Sequence, residues 1–152
     1  MAFRHVRKKF VDKYESKITT GKDPEGWLED MKRFLDKSIA RNGIDSKQSR
    51  KWRLLVCDQL QGLGRYDEER LLWEAQVKSL RRSKGTEDLE TAMAEGRLAQ
   101  DLRLLGEFDE ARVILQHVYG ILTEQLDPDD DRTEWVKREI EMIDDEVESD
   151  DS

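Results

Sequence analysis

The chain has 152 residues, 36% of them apolar and 41% charged, with a net charge of −8. This is the length of one ordinary domain with a thin core and a large solvated surface, which suits a helical array better than a barrel or a doubly wound sheet. No run approaches the roughly 18 apolar residues of a membrane span, the first residues lack an apolar signal-peptide region, and a single cysteine excludes an intramolecular disulfide and fits a reducing compartment. The expectation is a soluble, cytoplasmic, mostly α-helical chain.

In chain order, the pattern predicts a first helix over 3–20, where Phe3, Val6, Phe10, Val11, Tyr14 and Ile18 form one face beside Arg4, Arg7, Lys8, Lys9, Lys13 and Lys17. Asp23-Pro24-Glu25 opens a second helix over 24–41, with a cap candidate, a proline in the first turn and an acid near the positive dipole end. Its apolar stripe is Trp27, Leu28, Met31, Phe34, Leu35 and Ile39. Further helices follow over 49–63, 67–83, 91–105, 109–125 and 133–147, with Ser49, Thr91 and Thr133 as candidate N-caps. In 109–125 the stripe is Ala111, Ile114, Leu115, Val118, Tyr119 and Leu122; in the last helix it is Val136, Ile140, Ile143 and Val147. Thirteen acids lie from Asp127 onward against three bases, and 148–152 is expected to be an acidic disordered tail.

These helices belong to an internal repeat. Leu63-Gly64-Arg65-Tyr66-Asp67-Glu68-Glu69-Arg70 recurs 42 residues later as Leu105-Gly106-Glu107-Phe108-Asp109-Glu110-Ala111-Arg112. The same offset relates Ser49, Thr91 and Thr133, and Gly43 to Gly85, with Asp127 in the third place. Gly64 and Gly106 stand where one helix turns tightly into the next, and Tyr66 or Phe108 can plug the corner. No helix pair can bury its stripe alone, so neighbouring pairs must share a core.

The stretch Arg97 to Arg112 resembles a tetratricopeptide repeat of the 42-residue, kinesin-light-chain type, and Leu126-Asp127-Pro128-Asp129-Asp130-Asp131-Arg132-Thr133 resembles that type's connector. The resemblance implies an all-α, right-handed solenoid of antiparallel helix pairs, about three and a half repeats in seven helices. It implies one domain over 1–147, with pairs at 3–41, 49–83 and 91–125 and an unpaired helix at 133–147. The small residue of the first helix is Ala99 or Cys57 but Glu141 in the last copy; that of the second helix is Ala111 but Glu69 and Trp27 elsewhere.

No catalytic constellation, phosphate loop or metal motif is present, so an enzyme, a cofactor and a metal site are not expected. Cys57 falls at a packed small-residue position, His117 reads as a surface histidine, and Asn42 as a loop residue. The acidic balance disfavours nucleic acid, and burial of the first helix in the array accounts for its apolar face better than a membrane does. In the resembling family the first helix of each pair lines a partner-binding groove. Carried across, the groove positions are Lys51, Leu54, Asp58 and Gln61; Met93, Gln100, Arg103 and Leu104; and Trp135, Arg138 and Met142. Trp135 and Met142 lie off the buried stripe, which predicts an exposed Trp–Met face as a contact site. The expected function is a non-enzymatic adaptor for an acidic or amphipathic partner segment. The alternative is a self-assembly module, a homodimer, using the unpaired last helix and the oppositely charged termini.

Overall fold

The structure, a computed structural model, describes residues 23–150. Among these there are six helices and no strands: α1 (Pro24–Asn42), α2 (Lys47–Gly62), α3 (Tyr66–Lys84), α4 (Leu89–Leu104), α5 (Phe108–Gln125) and α6 (Asp131–Asp150). The helix expected over 3–20 lies outside the described residues. The chain divides into two compact units, one ending at Leu72 and the other starting at Trp73, so the division falls inside α3.

The helices begin earlier than the hydroxyl residues suggested. Ser46, not Ser49, caps α2, its Oγ accepting the Ser49 N–H at 3.0 Å. Asp88, not Thr91, caps α4 by accepting the Glu90 N–H at 2.9 Å. Asp130, not Thr133, accepts the Arg132 N–H at 2.9 Å ahead of α6. These three acceptors are themselves 42 residues apart. Ser49, Thr91 and Thr133 sit buried one turn inside each helix, and Ser49 Oγ donates to the Gly43 carbonyl at 2.8 Å. Asn42, expected in a loop, instead ends α1, where its Nδ2 donates to Ser38 Oγ at 3.4 Å. The expected tail also differs: α6 continues through Asp150, with Ser149 Oγ donating to the Asp145 carbonyl at 3.0 Å.

The two repeat corners are built alike. After α2, the Arg65 N–H donates to Leu60 C=O and the Gly64 N–H to Gln61 C=O, both at 3.0 Å. After α4, the Glu107 N–H donates to Leu102 C=O at 2.8 Å and the Gly106 N–H to Arg103 C=O at 3.0 Å. This closure satisfies the last carbonyls of a helix only if the residue past its end turns left-handed, and Gly64 and Gly106 do so at φ +71° and +85°. Arg65 also donates to Glu68 and, at 2.7 Å, to Glu25. The hydrogen bond from Arg65 holds the Glu68 carboxyl below its ordinary value.

Each unit has its own core. In the first, Leu28, Met31 and Leu35 of α1 meet Trp52, Leu55, Val56 and Leu60 of α2, with Phe34 stacked on Trp52 at 5.2 Å between ring centroids. In the second, α4 gives Ala92, Ala99 and Leu102; α5 gives Ala111, Leu115, Val118, Ile121 and Leu122; α6 gives Val136 and Ile143. Burying one such aliphatic side chain contributes about 1.5–3 kcal/mol. Tyr119, expected on the buried stripe, is exposed, and Ile121 takes its share of the core. Cys57, Ala99 and Ala111 are all fully buried, as the repeat alignment predicts, whereas Glu141, at the place of Ala99, faces solvent.

Candidate functional site

Lys51, Leu54, Asp58 and Gln61 recur along one face of α2, and all four are half-buried in the first unit. In the second unit, Met93, Gln100 and Arg103 are half-buried on α4, and Leu104 at its end is 39% exposed. On α6, Trp135 is half-buried while Arg138 and Met142 are exposed.

The α4 and α6 side chains meet in a seam. Gln100 Nε2 donates to Glu139 Oε1 at 3.0 Å, and Arg103 Nε donates to Glu139 Oε2 at 2.8 Å. Arg103 Nη1 reaches Glu146 Oε1 at 3.2 Å. Contacts advance together along both sequences, from Gly96–Trp135 to Gln100–Glu139 to Arg103–Glu146, so α4 and α6 run parallel. The arginine side chain is 11% exposed and the Glu139 side chain 4%, so this is a largely desolvated, charge-assisted pair.

Trp135 does not form the exposed face expected of it with Met142. Its indole lies over Gly96 of α4, with Cζ3 3.0 Å from the point where a Cβ would stand, and it packs against the unit's core. The Arg97 guanidinium lies 5.8 Å from the Trp73 ring and 5.9 Å from the Trp135 ring, a cation held against two aromatic faces. Gly96, Arg97 and Glu139 were missed by the sequence reading. The sequence carries no signal that separates Gly96 from Gly120, which also lies inside a helix but has nothing within 4 Å of its missing Cβ.

Immediately before Gly96 on α4, the carboxylate of Glu95, 4% exposed, accepts from Arg81 at 2.8 Å, with His117 Nε2 3.9 Å away. His117 is surface-exposed, as expected. Ahead of α6, Arg132 donates to Asp130 through its side chain and its backbone N–H, which pulls the Asp130 carboxyl down to about 2. Among the described residues no group of His, Cys, Asp or Glu is arranged to hold a metal ion. No described helix is long and apolar enough to cross a membrane.

No protein-family model matches the chain, and no curated protein matches its sequence. Among solved structures it is similar to the crystal structure of BtubC (BKLC) from P. vanneervenii, with a TM-score of 0.65 and 11% sequence identity. The match covers 93% of this chain and 65% of that one, so the chain spans just under two thirds of that protein's length. At this identity the likeness is one of fold, an all-α helical repeat.

Proposed function

We propose that the chain is a tetratricopeptide-type array of the 42-residue, kinesin-light-chain kind, and that it works as a non-enzymatic cytoplasmic adaptor binding a partner peptide or helix along the α4–α6 seam. The reading is carried by the end of α4. Arg103 is fixed from two sides by Glu139 and Glu146, while the next residue, Leu104, presents its side chain to solvent. A rigid polar rim beside an exposed apolar side chain lowers the ordering cost of binding a chain segment. Arg103 already meets two carboxylates, so an amphipathic segment with an apolar anchor fits this surface better than a strongly acidic one.

The test places a photo-crosslinking residue at Leu104 and, separately, at Val113, which is 68% exposed on α5. An adaptor of this kind captures a partner from position 104 and not from 113, and Leu104→Asp in otherwise unmodified protein abolishes co-purification of that partner. Equal capture from both positions, or capture unaffected by Leu104→Asp, sinks the reading.

A further inference from the structure

We propose that the open flank of α6 pairs with the same flank of a second copy of this chain, antiparallel and centred on Met142. The observation begins on α4, where Gly96, Gln100 and Arg103 are the residues that touch α6. At the repeat offset of 42 they become Arg138, Met142 and Asp145, all three exposed. Arg138 stands four residues before Met142 and Asp145 three after it, so the three share one helical face. Near the seam, Arg103 pairs with Glu139 and Glu146, and Arg112 with Asp144. The side chains of Arg138 and Asp145 make no ion pair among the described residues.

This strip is self-complementary in only one direction. Two parallel copies in register would set Arg138 against Arg138 and Asp145 against Asp145. Antiparallel copies set Arg138 against the acid of the second copy, twice, with the two Met142 side chains on the axis. That is the isologous arrangement of a two-fold dimer.

The rest of the flank limits the contact to that strip. Ala92, Ala99 and Leu102 are buried on α4, and their equivalents on α6 are Glu134, Glu141 and Asp144, all exposed. A further helix packed as α5 packs on α4 would find charge where it needs apolar surface. A single helix of about 30 Å offering one narrow strip buries less than the roughly 1,000 Å² of a stable interface. The dimer is therefore weak, reversible and salt-sensitive. This inference does not rest on the adaptor reading, because it uses a different flank from Leu104.

The experiment is sedimentation equilibrium of the full chain up to millimolar concentration, at low and high salt. Wild type is expected to dimerise reversibly, less so in salt. Arg138→Glu alone and Asp145→Arg alone each place like charges in both pairs and give monomers. An equimolar mixture of those two variants restores both pairs and dimerises as wild type does. A wild type that stays monomeric, single variants that dimerise unchanged, or a mixture that stays monomeric overturns the proposal. Both residues are exposed, and circular dichroism checks that each variant keeps its helices.

Discussion

Trp135 and Gly96 are matched across two helices 39 residues apart: the indole Cζ3 occupies ground 3.0 Å from where any side chain on Gly96 would begin. The absent Cβ lets α6 approach α4 closely enough for Gln100 and Arg103 to reach Glu139. Gly96→Ala should gain up to about 1 kcal/mol of helix propensity but lose about 1–3 kcal/mol to crowding against a rigid ring. The expected net effect is a loss of about 1 kcal/mol in chemical denaturation. A stabilised variant would mean that the indole is not tightly seated.

Glu139 and Glu146 both bind Arg103, and their environments separate their weights. Glu139→Ala strips a 4%-exposed partner from a nearly buried guanidinium and should cost about 2 kcal/mol. Glu146, whose side chain is 44% exposed, should cost no more than about 0.5 kcal/mol on the same change. A double-mutant cycle with Arg103→Met checks the difference: strong coupling to position 139, weak coupling to position 146.

Two glycines should respond to alanine with opposite signs. Gly106 holds φ +85° at the α4–α5 corner, so Gly106→Ala should destabilise by about 1–2 kcal/mol. Gly120 lies inside α5 with no atom near the position of its missing Cβ, so Gly120→Ala should stabilise by about 0.5–1 kcal/mol. Thermal melts of the two variants decide the matter.

Asp130 supplies a pH dependence at the start of α6. Its carboxyl titrates near 2 in the folded protein, below its ordinary 3.8, because Arg132 donates to the charged form. The stabilisation is thus fully present above the ordinary value and is lost as pH falls through the folded one. Between pH 4 and pH 2, Asp130→Asn should titrate more flatly than wild type when the first turn of α6 is followed by NMR. Equal curves would remove Asp130 as the titrating cap.

Much of the fold was legible because it repeats. The stripe from Trp27 to Ile39 and that from Val136 to Val147 are buried or half-buried as their spacing predicts. The helix starts were misread because Ser49, Thr91 and Thr133 are chemically able to cap. The preceding acceptors, Ser46, Asp88 and Asp130, bind the first free amides instead and leave the later hydroxyls inside the helix. The seam was less legible. Trp135 read as exposed because it lies off the apolar stripe, and only the approach of α4 across Gly96 gives it a surface to cover. Glu139 read as one acid among many, since nothing local distinguishes a carboxylate that will meet an arginine 36 residues earlier.

The twin corners bear on how the chain folds. Each is closed by bonds that reach back only three and five residues, Gly64 to Gln61 with Arg65 to Leu60, and Gly106 to Arg103 with Glu107 to Leu102. Such closures sacrifice little chain entropy, so either turn can serve as a nucleus before any distant contact has formed. With a separate core on either side of Leu72 and Trp73, folding has two places to begin. Native-state hydrogen exchange should accordingly resolve two opening free energies, and the amides around Leu60 and Leu102 should be free to exchange in different events.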